Sequence, residues 1–192
     1  LIKTAQMPSS SFNLFLAGWN ASSNVPQSGG VVHHPQGDVT KVAVYSAPAS
    51  SLDNQGLCTG QLPITGTCTS TRYVNVWRVS YSQGITEPGS SGSALYDQNQ
   101  LIVGQLSGGS TSCSAGKSAT DIYGRFNSAW ASKSASTAQL KANLDPDNTG
   151  TLTLGGKNLA GSGSTTPGST SGNGSSGGGG GGAMPAFTLA GL

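Results

Sequence analysis

Thr86-Glu87-Pro88-Gly89-Ser90-Ser91-Gly92-Ser93-Ala94-Leu95-Tyr96 sets a serine pair between two glycines, directly ahead of a short apolar run. Glycine reaches backbone conformations that other residues avoid, so Gly89 and Gly92 let the chain turn sharply with amide N–H groups pointing inward. The hydroxyl of Ser91 then stands beside those amides, and Ala94-Leu95-Tyr96 reads as the strand that anchors the turn. A hydroxyl next to clustered backbone donors is the equipment for acyl transfer, because the donors stabilise charge that develops on the carbonyl oxygen. A serine nucleophile also needs a histidine base and an acid to orient it. Ser-Gly pairs are common in a chain with 30 glycines. Ser171-Gly172 and Ser176-Gly177 carry no chemistry, so the turn acquires meaning from its surroundings.

Outward from the turn, the pattern is one of short strands. Leu101-Ile102-Val103-Gly104-Gln105-Leu106 pairs in sequence with Ala94-Leu95-Tyr96 across Asp97-Gln98-Asn99-Gln100, a hairpin loop. Asp121 to Phe126 reads as the next strand. Upstream, Tyr73 to Val79 alternates with period two, with Tyr73 and Asn75 opposite Val74, Val76 and Arg78. Lys41 to Tyr45 is another strand, and Val31-Val32-His33-His34-Pro35 is a strand stopped by proline. Phe12 to Trp19 reads as a strand entering a core. Short strands at close spacing with turn residues between them indicate an all-β barrel or sandwich. One helix is expected near the end of this region. Ser136 or Thr137 caps Ala138 to Leu144, and Asp145-Pro146 ends it because the residue before proline avoids the helical region.

Composition narrows the function classes. The 192 residues are 8% charged with a formal net charge of +2, and the nine basic residues are scattered. Phosphate binding needs clustered Lys and Arg, so nucleic acid is excluded as the main partner. Low charge with many Ser, Thr, Gly and Asn residues suits a secreted β protein. Cys58 and Cys68 bracket a short loop with turn residues Gly60, Pro63 and Gly66, so a local disulfide is expected; closing such a loop contributes about 3 kcal/mol in the chain-entropy account. Cys113 is left over. No Cys-x-x-Cys or His/Cys cluster supports a metal site, and no cofactor is indicated.

The ordered motifs resemble bacterial lysyl endopeptidases. These are Thr86 to Ser93, Gly104-Gln105-Leu106-Ser107-Gly108-Gly109, Cys113 and Asp121-Ile122-Tyr123-Gly124-Arg125, preceded by Phe12-Asn13-Leu14-Phe15, Gly18-Trp19 and His33-His34-Pro35 and followed by Leu144-Asp145-Pro146. The likeness covers about residues 1 to 150. It implies an all-β, trypsin-like double β-barrel fold of which mainly the second barrel is present. By the resemblance, Ser91 is the catalytic nucleophile, Gly89 and Ser91 supply the oxyanion-hole amides, and Ser107, Gly108 and Gly109 bind the substrate backbone and wall the specificity pocket. Asp121 is the acid at the base of that pocket, facing a substrate lysine; Ile85, six residues before Ser91, stands where trypsin keeps its own. The family usually has a histidine at the place of Ser107, stacked on a tryptophan for which Trp77 is the candidate. That departure widens the expected preference from Lys to Lys or Arg.

His33 and His34 are the only histidines. Neither sits in the family's Thr-Ala-x-His-Cys-like setting, so both are expected to be structural, and Asp38 and Asp53 to be loop acids. The resemblance puts the base and acid of the triad in a first barrel upstream of residue 1, together with the partner of Cys113. The expected organisation is residues 1–11 as the end of the first barrel and crossover, 12–150 as the second barrel, 151–182 as a disordered Gly/Ser-rich linker, and 183–192 as the start of an apolar segment. The last is too short to span a bilayer, which takes about 20 apolar residues. It resembles the sorting or anchoring signal of Gram-negative surface proteases. The function implied is that of an exported serine endopeptidase fragment acting on protein or peptide substrates, inactive by itself. The alternative is a non-catalytic β-domain serving as a surface or adhesion module.

Overall fold

The computed structural model describes residues 5–6, 8–9, 14–61, 67–115, 119–131 and 139–158, with backbone alone for 59–61. In chain order the described strands are β1 (Phe15–Leu16), β2 (Trp19–Asn20), β3 (Gly29–His33), β4 (Lys41–Tyr45), β5 (Ser50–Gln61), β6 (Cys68–Val79), β7 (Ala94–Tyr96), β8 (Ile102–Gly109), β9 (Asp121–Arg125), β10 (Thr153–Leu154) and β11 (Lys157–Asn158). The described helices are α1 (Phe126–Ala131) and α2 (Lys141–Leu144). The chain forms two compact units, Gly18–Gly155 and Leu1–Ala17 with Gly156–Leu192. In the smaller unit β1 pairs antiparallel with β11.

The larger unit is built on one sheet with strand order β4-β3-β7-β8-β9-β6-β5. Its two ends, β4 and β5, are consecutive in the chain and separated only by residues 46–49. The chain thus passes directly from one edge strand of the sheet to the other. Val31, Ala43, Tyr45, Trp77, Val79, Leu95, Val103, Leu106 and Tyr123 fill the enclosed space. Their spacing follows the pleat: on β4, Ala43 and Tyr45 are buried while Val42 is exposed. On β6 the alternation predicted for residues 73–78 holds at its outer end, where Tyr73 and Asn75 are exposed and Val74 is half-buried. It fails further in, where Val76, Trp77 and Val79 are all buried. There the strand is internal to the sheet, paired with β5 on one side and β9 on the other, and the Arg125 guanidinium lies over the Trp77 ring.

The long β5–β6 hairpin carries the disulfide Cys58–Cys68, as expected. Its tip, residues 62–66, lies outside the described residues. Asp53 is part of β5 rather than of a loop; it pairs with the guanidinium of Arg125, which also lies 5.0 Å over the Trp77 ring. Asp38 follows the turn after β3 and pairs with Lys41 at 3.5 Å on the surface.

Three expectations change. The strand from Asp121 stops at Arg125, and Phe126 opens α1 instead. Residues four apart share a helix face, so Phe126 and Trp130 both meet Trp19, with ring centroids 6.0 and 4.7 Å away. The later helix is described only as Lys141–Leu144, with its expected start at Ala138 outside the described residues. Folded structure also runs past residue 150. Thr153 and Leu154 pair with β2, and Ala21 N–H donates to Leu152 C=O at 2.7 Å. The open edge of β2 offers backbone partners that a polar sequence can use without burying any side chain. The rest of the Gly/Ser-rich stretch, the apolar end and Leu1-Ile2 lie outside the described residues.

Candidate active site

The turn between Thr86 and Ser93 is held by backbone bonds on three sides. Ser90 N–H donates to Glu87 C=O at 3.1 Å, and Ser93 N–H donates to Ser90 C=O at 3.1 Å. Gly92 N–H reaches Leu106 C=O at 2.9 Å, and Leu106 N–H returns to Ser93 C=O at 2.9 Å. This fixes the turn on β8, just ahead of Ser107, Gly108 and Gly109. Gly89 and Gly92 have φ of 97° and 89°, which explains the need for glycine at both positions.

Within the turn, Ser90 and Ser91 have opposite surroundings. Ser90 is buried, and its hydroxyl lies 2.8 Å from His33 Nδ1. Ser91 is exposed, and its hydroxyl has no hydrogen-bond partner among the described residues. The N–H groups of Gly89 and Ser91 also meet no acceptor among the described residues. Each of these amides is aimed from behind. A peptide unit is planar with its N–H and C=O on opposite sides, so a bond to the carbonyl orients the amide. Gln36 N–H donates to Pro88 C=O at 2.7 Å, which turns the Gly89 N–H outward. Ser93 N–H and the Ser93 hydroxyl (2.6 Å) both reach Ser90 C=O, which does the same for the Ser91 N–H. Two outward amides and a free hydroxyl on one tight turn can receive a carbonyl oxygen and attack its carbon.

Neither histidine reaches Ser91. His33 is buried against Ser90, and burial lowers its pKa from the ordinary imidazole value. His34 is exposed, with Nδ1 3.3 Å from Asp38 C=O and Nε2 3.4 Å from the Thr40 hydroxyl. Among the described residues, neither histidine hydrogen-bonds to Ser91.

Asp121 opens β9 and is 1% exposed. The Thr86 hydroxyl donates to its Oδ2 at 2.5 Å. The Thr111 hydroxyl lies 2.8 and 2.9 Å from its two oxygens, and Thr111 N–H is 3.4 Å from Oδ1. β8 crosses this carboxylate with no side chain between them: a Cβ on Gly109 would sit 1.8 Å from Asp121 Oδ1. By contrast, nothing lies within 4 Å of a Cβ position on Gly108, whose φ is 156°. Close by, the phenols of Tyr81 and Tyr123 hydrogen-bond to one another, and burial raises both pKa values. Ser107 is exposed on β8; its hydroxyl donates to Gln105 C=O and accepts from Gly124 N–H, both at 3.3 Å. Trp77 is spent in the core, donating from Nε1 to Val103 C=O at 3.0 Å, so it is no pocket wall.

Thr86 joins the two halves of the site. It hydrogen-bonds Asp121 and opens the segment that carries Ser91. Sequence reasoning missed Thr86, Thr111 and the His33–Ser90 and Gln36–Pro88 contacts. Only the position of Thr86 at the head of the turn was a usable signal; His33 and Ser90 are 57 residues apart, and Thr111 and Asp121, 10 residues apart, lie in a stretch with no pattern that pairs them.

Residues 1–124 match the family described as lysyl endopeptidase, C-terminal domain. Among solved structures, the Rv3671c protease in its inactive form is similar at 17% identity and a TM-score of 0.35, over 57% of this chain and 48% of that one. The active form of the Rv3671c protease from M. tuberculosis is similar at 20% identity and a TM-score of 0.36, over 57% and 42%. This chain spans less than half the length of each of those proteins.

Proposed function

This chain belongs to the lysyl endopeptidase C-terminal domain family, and from that premise we propose that it carries the nucleophile and specificity half of a serine endopeptidase. Ser91 attacks the scissile carbonyl and forms the acyl-enzyme. The Gly89 and Ser91 amides hold the oxyanion, and each such donor is worth about 3 to 4 kcal/mol in comparable enzymes. Gly108, Gly109 and Ser107 take the substrate backbone along the edge of β8. Asp121 pairs with a lysine ammonium, or an arginine guanidinium, ahead of the cleaved bond. The observation that carries the reading is the pair of Gly89 and Ser91 amides beside the Ser91 hydroxyl, all three without a partner among the described residues. The base and orienting acid come from outside these residues, since both histidines are engaged elsewhere. The Cys58–Cys68 disulfide supports an exported protein, and residues 183–192 are proposed as the start of a surface-sorting segment.

The test is hydrolysis of a lysyl amide by the full-length protein and by residues 1–192 alone. The full-length protein should turn over, Ser91→Ala should lower kcat about 10⁴-fold or more, and the isolated chain should be inert. Turnover by the isolated chain that vanishes with Ser91→Ala would show a complete triad within it. A full-length protein whose Ser91 ignores a fluorophosphonate would favour the non-catalytic surface module.

A further inference from the structure

We infer that His33 is a positioning residue for the nucleophile turn, acting with the loop that follows it to aim the oxyanion amides; this rests on the reading of Ser91 as nucleophile. The loop holds the turn at two points. His33 Nδ1 lies 2.8 Å from the Ser90 hydroxyl, and Gln36 N–H donates to Pro88 C=O at 2.7 Å. Between these ties lies Gly89. A Cβ there would stand 3.1 Å from Gln36 N, 3.2 Å from His34 O and 3.4 Å from Gly37 N, so the loop runs flush against the Gly89 backbone. Gln36 delivers its N–H from φ 57°, a left-handed conformation that costs a non-glycine residue about 1 kcal/mol or more. The chain accepts that strain where the N–H it directs sets the Pro88–Gly89 peptide.

His33 fixes the start of this loop. It ends β3, it is 1% exposed, and Pro35 immediately beyond restricts the path to Gln36. Its Nε2 is buried without a partner among the described residues, where the Ser90 contact is the one polar bond that holds the ring. Ser90 in turn is the interior neighbour of the exposed Ser91. Losing the His33–Ser90 bond frees both the turn and the loop, and the Pro88–Gly89 peptide gains room to rotate its N–H away from the site. His33 never touches substrate. Its effect is on the transition state, where the amides act, and not on ground-state binding.

The experiment uses the full-length protein with Ser90→Ala, His33→Leu, His33→Asn and the Ser90→Ala/His33→Leu double variant, each assayed on a lysyl amide. Ser90→Ala and His33→Leu should each lower kcat about 10- to 100-fold with KM changed less than about threefold, short of the 10²- to 10³-fold loss of a whole donor. The double variant should match the single ones, because both remove one interaction. His33→Asn, which can keep a hydrogen-bonding atom near the Nδ1 position, should recover most of the loss. A purely structural role would lower the fraction of sites that label with fluorophosphonate and leave kcat per labelled site unchanged. If His33→Leu does not fold, Ser90→Ala alone decides. Variants within twofold of an active wild type, additive losses, or a rise in KM at constant kcat would each overturn the inference. A wild type that neither hydrolyses the amide nor labels with fluorophosphonate would instead overturn the functional reading beneath it.

Discussion

The turn around Ser91 and the corner around Asp121 use their polar groups in opposite ways. At the turn, the Gly89 and Ser91 amides and the Ser91 hydroxyl have no partner among the described residues. At the corner, Thr86 and Thr111 hydroxyls surround a carboxylate that is 1% exposed. Polar groups near water lose little by waiting for a ligand, so a turn at the surface can stay unfilled. A carboxylate inside the barrel wall must be hydrogen-bonded to be tolerated there. The difference teaches which substitutions reach the fold and which reach only the chemistry. Those at the corner should cost stability, while Ser91 should be nearly silent in folding.

The sharpest test of the corner is Gly109→Ala. Its Cβ would fall 1.8 Å from Asp121 Oδ1 and 2.8 Å from Asp121 Cα, so backbone has to move. Urea unfolding should show a loss of about 3 kcal/mol or more, near the top of the range for overpacking. A loss below about 1 kcal/mol would mean that the corner is slack. Thr111→Val keeps the shape and removes the hydroxyl that faces both carboxylate oxygens. It should cost about 1 to 2 kcal/mol, the usual penalty when a buried acceptor loses its donor; a neutral result would say that Thr86 alone satisfies Asp121. The smallest effect is expected for Ser91→Ala. Its midpoint in the same urea experiment should stay within about 0.5 kcal/mol of wild type. A larger loss would reveal a structural role for the hydroxyl and erase the contrast with the corner.

Much of the fold was readable because its signals are local. Lys41 to Tyr45, Ala94 to Tyr96 and the loop Asp97 to Gln100 announce themselves by alternation and turn residues, and the structure places strands at the first two. The hairpin loop is explained by Asp97, whose Oδ1 accepts from Asn99 N–H at 2.9 Å and Leu101 N–H at 3.0 Å. The end of β9 was not readable, because Phe126 is as good in a strand as in a helix. Its choice was made by Trp19, 107 positions earlier in the chain.

The sequence by itself determined that the chain is all-β, that Ser91 sits on a glycine-bracketed turn, and that Cys58 and Cys68 lie close enough to join. Each of these rests on neighbours within about ten residues, where chain connectivity already does the pairing. Tertiary structure alone decided that Ser90 faces inward to His33, that Gln36 turns the Gly89 amide outward, and that Asp121 is wrapped by Thr86 and Thr111 beneath Gly109. Those contacts join strand ends to loops that pass beside them only in the folded sheet, and no spacing in the sequence encodes which side chains meet there.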